Sequence, residues 1–145
     1  MSEREWIQHG LEFHRAGRLV EAERLYRQVL ALHPSHPDAL HLLGVALLQS
    51  NRGDEGVELL RRAAAAHPAE ATFHADLGLG LMSLGRAAEA VLAFEAALAR
   101  DPASPEFSYH LGTALLAAGR AAATRENACA ASALRPQASS ALARL

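Results

Sequence analysis

The chain has 145 residues, the length of one domain, and half of them are hydrophobic, which is enough apolar surface to build a sizeable core. A formal net charge of -2 excludes a global basic field, and with it generic nucleic-acid binding as a first hypothesis. The cationic side chains are all Arg, so a lysine nucleophile or Schiff-base mechanism is excluded as well.

The first predicted element is a helix that begins with a capping box. Ser2 stands three residues before Glu5, so each can hydrogen-bond the other's backbone N–H at the start of a helix. Gly17 interrupts the helical pattern, and a second helix follows until His33, which precedes Pro34 and is therefore biased away from helical backbone. The first 36 residues thus predict a helix, a turn and a helix.

The same order of elements recurs along the rest of the chain. Short connections between the helices predict that neighbouring helices are antiparallel. The predicted helices span residues 3–16, 20–32, 37–50, 54–66, 71–84, 88–100, 105–118 and 121–134.

Two residue types mark a fixed interval of 34 residues. The glycines are Gly10, Gly44, Gly78 and Gly112, and the prolines are Pro34, Pro68, Pro102 and Pro136. In the second helices, a bulky residue recurs at the same interval at Tyr26, Leu60 and Phe94. The fourth copy has Ala128 at this position. A period of this size predicts a solenoid of stacked helical pairs, a fold that usually provides a binding surface.

This registry resembles the tetratricopeptide repeat over residues 3–136. The resemblance implies an all-α, right-handed superhelical α-solenoid of four helix-turn-helix units, whose first helices line a concave groove. We expect a single domain, residues 1–145, with repeats at 3–36, 37–70, 71–104 and 105–136 and a C-terminal partial repeat or short capping helix at 137–145. Because Thr124 and Ala128 replace the small and bulky residues of the other copies, the second helix of the fourth repeat should be the most weakly packed.

The tail continues the registry toward a fifth repeat. Leu142 and Leu145 stand four residues and one residue before the position of a fifth glycine. Two interpretations remain open: this segment caps the array, or the chain is part of a longer protein. Two copies that cover each other's end helices are a further possibility.

One face of the first helices is predicted to bind a partner. Its residues lie on the opposite side from the glycine stripe, and most are apolar, which indicates a covered surface. Packing between first helices is the alternative for Leu11, Val45 and Leu79. The candidate groove residues are Arg4, Ile7, Leu11, His14, Arg15, His41, Val45, Leu48, Gln49, Leu79, Met82, Tyr109, Thr113 and Leu116.

Two ligand-binding patterns known from the family are missing here. The places of the lysine and asparagine clamp that holds a terminal carboxylate carry Ile7, Leu11, His41, Leu42 and Thr72. The places of the asparagine ladder of O-linked N-acetylglucosamine transferases carry Gln8, Leu42, Asp76 and His110. Neither of these peptide-binding modes is therefore expected.

No catalytic, cofactor or metal site is predicted. The eight histidines show no zinc-ligand spacing, and Cys129 lies among alanines, where a packed thiol is expected. With no secretory signal and no apolar segment of membrane-spanning length, the single cysteine favours a cytoplasmic location.

The leading functional hypothesis is therefore a noncatalytic scaffold, most typical of a bacterial protein, that binds a protein or peptide partner in the groove. Nucleic acid is not an expected partner, and a homodimer through the terminal helices remains open. The alternatives are a substrate-presenting segment of a larger enzyme, such as an O-linked glycosyltransferase-like protein, and a self-associating assembly module.

Overall fold

The computed structural model describes the backbone of residues 1–143 and the side chains of residues 1–126. All regular secondary structure in this part of the chain is helical, so the predicted all-α fold is confirmed. The helices are α1 (Glu3–Arg15), α2 (Leu19–Leu32), α3 (Pro37–Gln49), α4 (Gly53–Ala66), α5 (Ala71–Ser83), α6 (Ala87–Arg100) and α7 (Pro105–Ala143).

The first six helices form three hairpins, α1 with α2, α3 with α4 and α5 with α6, stacked in chain order as an α-solenoid. Each second helix also packs on the first helix of the next hairpin, and α6 packs on α7. In addition, α3 contacts α5 and α5 contacts α7, so successive first helices approach one another along one side of the array. We call that side the inner face, and the side formed by α2, α4 and α6 the outer face.

The periodic glycines exist because a bulky side chain of the second helix lies against each of them. The pairs are Gly10 with Tyr26, Gly44 with Leu60, and Gly78 with Phe94. A Cβ atom on these glycines would stand 2.5, 2.8 and 2.6 Å, respectively, from the nearest atom of the partner side chain. All three partner side chains are fully buried. The 34-residue period therefore records a repeated close contact between the two helices of each hairpin.

The turn inside each hairpin has one backbone geometry. Gly17, Asn51 and Gly85 each adopt a positive φ, at 76°, 59° and 74°. The next N–H, that of an arginine, donates at 2.9 Å to the carbonyl five residues earlier in each case. This is the Schellman arrangement, which satisfies the last carbonyls of the first helix.

An ion pair then closes each of these turns. The arginine after the turn residue binds the glutamate three positions later, in the first turn of the second helix: Arg18 with Glu21, Arg52 with Glu55 and Arg86 with Glu89. The closest N···O distances are 2.8, 2.8 and 2.5 Å. A carboxylate at this position also interacts favourably with the helix dipole.

The fourth repeat differs from the prediction. Residues Pro105–Ala143 form the single helix α7, so the predicted break between helices at 105–118 and 121–134 is wrong, and residues 137–143 continue the same helix. Gly119 and Arg120 have the residue types of the other turns, but Ala123 replaces the glutamate of the ion pair and Ala128 replaces the bulky residue. The sequence therefore lacks two of the interactions that stabilise the turned form elsewhere, while its alanines favour a continuous helix.

The absent hairpin leaves part of α7 uncovered. Leu115 is 51% exposed, whereas its equivalents Leu47 and Leu81 are 0% and 1% exposed. A Cβ on Gly112 would meet no atom within 4 Å. Residues 121–126, predicted as the start of a second helix in this copy, are all exposed. The expectations for the side chains of Ala128, Cys129 and Leu142, and for Leu145, lie outside the described residues.

Candidate partner-binding groove

Hydrogen bonds between successive first helices hold the inner face together. His14 Nε2 donates to Gln49 Oε1 at 2.8 Å and joins α1 to α3. His41 Nε2 donates to Asp76 Oδ2 at 2.5 Å and joins α3 to α5. Both pairs are 35 residues apart in sequence, so the same register of contact is used twice. These bonds fix the spacing of the helices that a ligand on the inner face would contact.

The outer face is held by arginine–glutamate pairs. Arg27 joins α2 to Glu55 of α4 at 2.9 Å, and Arg61 joins α4 to Glu89 of α6 at 3.0 Å. The guanidinium groups of Arg27 and then Arg52 lower the pKa of the Glu55 carboxyl. These side chains are partly exposed, so each pair stabilises the array only modestly. The paired charges share this face with exposed apolar side chains at Val20, Leu32 and Leu92.

The middle of the predicted groove is partly occupied by packing between hairpins. Val45, Leu48 and Met82 are only partly exposed and pack against the core cluster built around Leu60 and Phe94. The Leu48 side chain fits against Gly80, where an added Cβ would approach it to 3.0 Å. Their first role is therefore to join the hairpins. Leu79 lies beside them and is 39% exposed, so it offers more apolar surface to a ligand.

The α1 end of the groove is more polar. Ile7, Leu11 and His14 are partly buried, while Arg4 and Arg15 are exposed. A cleft of about 400 Å³ lies at the start of this helix, and it is lined by Glu3, Arg4, Ile7, His36 and Asp38. This end places two unburied guanidinium groups beside partly covered apolar side chains.

The α7 end carries the largest exposed apolar side chains of the predicted set. Tyr109 is 71% exposed and Leu116 is 64% exposed, and Thr113 is also exposed. Gln49, by contrast, accepts a hydrogen bond from His14. The predicted residues are least exposed between the hairpins and most exposed at α7, where no following hairpin covers the positions equivalent to His41, Leu48 and Met82 in the described residues.

Asp76 and Phe73 are inner-face residues that the sequence did not predict for the groove. His41 bonds Asp76 and stacks on Phe73 with ring centroids 4.6 Å apart, and its side chain is only 15% exposed. A ligand would therefore reach the edge of a fixed His–Asp pair. The spacing of 35 residues between His41 and Asp76, equal to that between His14 and Gln49, is the signal that could have found it.

Neither a metal cluster nor a membrane span is found in the part of the chain that the structure describes. Among those residues, no three or more His, Cys, Asp or Glu side chains gather as a metal ion would require. No helix there is both long and apolar enough to cross a membrane.

Structures of known proteins share this arrangement. A Thermobaculum terrenum O-GlcNAc transferase mutant matches 78% of the chain at 31% identity and a TM-score of 0.72, but the match spans only 22% of that protein. The Sgt2 domain from Aspergillus fumigatus matches 82% of the chain and 80% of its own length, at 20% identity and a TM-score of 0.77. The first TPR of Spaghetti (RPAP3), bound to an HSP90 peptide, matches 81% of the chain and 95% of its own length. The sequence identity is 17% and the TM-score is 0.76.

Family profiles agree with these structural similarities, although no curated protein matches the chain. Two profiles described as tetratricopeptide repeat match residues 13–76 and 75–140, and together they cover most of the sequence. The glycine contacts, the repeated turn and these matches lead to one conclusion: the chain belongs to the tetratricopeptide repeat family.

Proposed function

We propose that the chain is a noncatalytic scaffold whose inner face binds a segment of a partner polypeptide. The observation that carries the proposal is Leu79, a leucine left 39% exposed among packed residues of the inner face. Tyr109 and Leu116 extend this apolar surface at the α7 end, where no following hairpin covers them in the described residues. Exposed apolar side chains that follow one side of a repeat array are typical of an interaction surface. The related domain bound to an HSP90 peptide supports a polypeptide ligand for this fold, while its 17% identity carries no information on the ligand's sequence.

The chemistry of the inner face defines the ligand class. A segment lying along it would place apolar side chains near Leu79 and Leu116 and a side chain with a hydrogen-bonding group near the Tyr109 hydroxyl. At the α1 end, Arg4 and Arg15 would pair with acidic side chains, with Arg15 able to hold a carboxylate through two N–H groups. We therefore propose an apolar segment that carries acidic residues at one end.

A random peptide library displayed on phage provides a ligand to test this. Peptides selected on the full chain would be labelled, and their affinities measured by fluorescence anisotropy for the wild type and for the variants Leu79→Arg and Arg15→Glu. Leu92→Arg is the matched control, because Leu92 is 66% exposed on the outer face.

Leu79→Arg should weaken binding by about tenfold or more, since it places a charge against apolar ligand groups, a change of about 1.4 kcal/mol. Arg15→Glu should weaken it by a smaller factor that shrinks as salt is added. Leu92→Arg should leave the affinity within about twofold of the wild type. The proposal would be rejected if Leu92→Arg weakened peptide binding and the other two substitutions did not. Binding would then lie on the outer face.

A second candidate is a substrate-presenting segment of a larger enzyme. The 31% identity to the O-GlcNAc transferase, over 22% of that protein, favours it. The inner face would then bind an acceptor polypeptide for a catalytic domain elsewhere in the same protein. Reading the coding sequence beyond codon 145 tests this: an in-frame glycosyltransferase domain supports it, and a stop codon directly after Leu145 contradicts it.

Self-association through the terminal helices and a cytoplasmic location in a bacterial cell are the remaining proposals. Light scattering of Leu142→Asp and Leu145→Asp variants tests self-association. If the variants have the same mass as a dimeric wild type, the dimer does not use these leucines. The single cysteine supports the second, since it cannot form an internal disulfide. Recovery of the native protein outside the cytoplasmic fraction would contradict it.

A further inference from the structure

One side of α7 has the form of a helix-binding site without a helix. In the three hairpins, the side of the first helix that carries the periodic glycine is covered by the second helix, and Leu47 and Leu81 are buried there. On α7 the same side carries Gly112, which has open space above it, and Leu115, which is 51% exposed. We call Gly112, Leu115 and the surface between them the α7 docking face.

The described residues that follow in α7 do not cover this face. The backbone continues past Gly119 in the same helix, so residues 121–126 extend beyond the face and are exposed. An open cleft of about 520 Å³ separates this extension from the α5–α6 turn at Gly85 and Arg86. The docking face is therefore accessible to another helix at Gly112 and Leu115.

The three hairpins define which helix would fit. Each covering helix presents a bulky side chain to the glycine, with a small residue four positions earlier and a residue no larger than valine three positions later. These triplets are Ala22, Tyr26 and Val29; Gly56, Leu60 and Ala63; and Ala90, Phe94 and Ala97, all buried. Because the face on α7 continues this interface, the same pattern should fit it.

Charge at one end of the face adds a second requirement. A helix packed there in the hairpin orientation would start beside Gly119 and the exposed Arg120, whose equivalents Arg18, Arg52 and Arg86 each bind a glutamate in the first turn of the covering helix. A cation near the positive end of a helix dipole is unfavourable unless the incoming helix carries an acidic side chain in its first turn. The covering helices α2, α4 and α6 carry Glu21, Glu55 and Glu89 in their first turns.

We propose that the α7 docking face binds an amphipathic helix of another protein, which completes the fourth hairpin in trans. The partner helix carries an acidic residue in its first turn, then a small residue, a bulky apolar residue four positions later and a second small residue three positions after that. This surface adjoins Leu116 of the groove set, but the proposal rests on Gly112 and Leu115 and does not depend on the groove proposal.

The chain itself supplies a probe with this pattern. A synthetic peptide with the sequence of α6, residues 87–100, contains Glu89, Ala90, Phe94 and Ala97 in the required order. A side-chain staple joining positions 88 and 92, which are exposed in the array, would hold it helical without altering its packing side. The control peptide carries Phe94→Ala, and binding of both to the full chain would be measured by fluorescence anisotropy.

The expected result is saturable binding of the stapled peptide to the wild type. It should be about tenfold or more weaker for the Leu115→Asp variant and for the control peptide, because each change removes one half of the bulky contact. Leu92→Asp is the matched protein control: Leu92 is 66% exposed and corresponds to Arg24 and Glu58, so it lies outside the face. Circular dichroism would verify that both variants retain their helices.

Three outcomes would overturn the proposal. Absence of saturable binding to the wild type would show that the face does not accept a helix or is occupied by the chain's own residues. Equal effects of Leu115→Asp and Leu92→Asp would indicate nonspecific apolar association. A mass of twice 15.4 kDa for the wild type that Leu115→Asp alone reduces to one chain would make a second copy the occupant.

Discussion

Substitution of Gly78 by alanine tests whether the 34-residue glycine period is a packing requirement. The new Cβ would stand 2.6 and 2.7 Å from two atoms of the Phe94 ring, well inside ordinary contact distance. Because Phe94 is fully buried, its ring must shift against packed neighbours, at a cost of about 1–3 kcal/mol. Alanine also favours the helix over glycine by about 1 kcal/mol. Gly112→Ala is the matched control, since it gains the helix propensity and meets no atom within 4 Å.

The difference between the two variants isolates the packing cost, because both gain the same helix propensity. Thermal unfolding of dilute protein, followed by far-UV circular dichroism, measures it. At about 3 °C per kcal/mol for a chain of this size, Gly78→Ala should melt about 3–9 °C below Gly112→Ala. Gly112→Ala should melt at or above the wild type. Equal melting temperatures for the two variants would refute the packing account of the glycine period.

Three further predictions concern pH and the form of α7. Burial raises the pKa of Tyr26 to about 12, above its ordinary value of 10.0. The contribution of the neutral Tyr26 side chain to the free energy of unfolding should therefore be lost as pH rises from 10 to 12. Tyr26→Phe should flatten this alkaline decline in denaturant titrations. Arg27 and Arg52 lower the pKa of the Glu55 carboxyl. Its contribution to the free energy of unfolding should therefore be present above pH 4.5 and lost as pH falls through the lowered pKa. Glu55→Gln should flatten the loss of stability at acid pH, and an unchanged loss would contradict the pairing. Ala123→Glu with Ala128→Phe restores the missing turn and packing residues, so the maximum dimension in small-angle X-ray scattering should fall, because residues 120–143 rise about 36 Å along a continuous helix. No change in dimension would reject our reason for the continuity of α7.

The sequence predicted the hairpins well because their signals are local and repeated. Gly17 and Gly85 mark left-handed turn positions, Pro37 fits a helix start, and the glycine and bulky residues recur in phase. Asn51 adopts the same positive φ without being a glycine, because asparagine tolerates this conformation better than most residues. Each of these signals reports on backbone conformation or on one contact, so periodicity was sufficient to find it.

The fourth repeat shows where such signals fail. Gly119 and Arg120 read as a turn, but a glycine permits a left-handed conformation without requiring it. The outcome depends on whether the turned form gains enough from Glu at position 123 and a bulky residue at position 128, and here it gains neither. The 34-residue registry of Gly112 and Pro136 therefore predicted a hairpin that the interactions of this copy do not support.

The groove was predicted as one helical face. In the structure, some of its residues pack between hairpins and others stay exposed. Periodicity places Leu48 and Leu79 on similar faces of α3 and α5, but it cannot tell that Gly80 opens a slot that Leu48 fills. The bond between His41 and Asp76 depends on the offset between adjacent hairpins, which one repeat does not define. Exposure along the groove thus required the packing of neighbouring repeats.

Photo-crosslinking tests most directly the central claim that the inner face is the binding surface. A photoreactive phenylalanine would replace Leu79 on the inner face in one full-length variant and Leu92 on the outer face in another, both exposed positions. Each variant would be irradiated with the peptides selected from the displayed library, and crosslinked products would be identified by mass spectrometry. The account predicts peptide crosslinks from position 79 and few or none from position 92; crosslinks mainly from position 92 would contradict it.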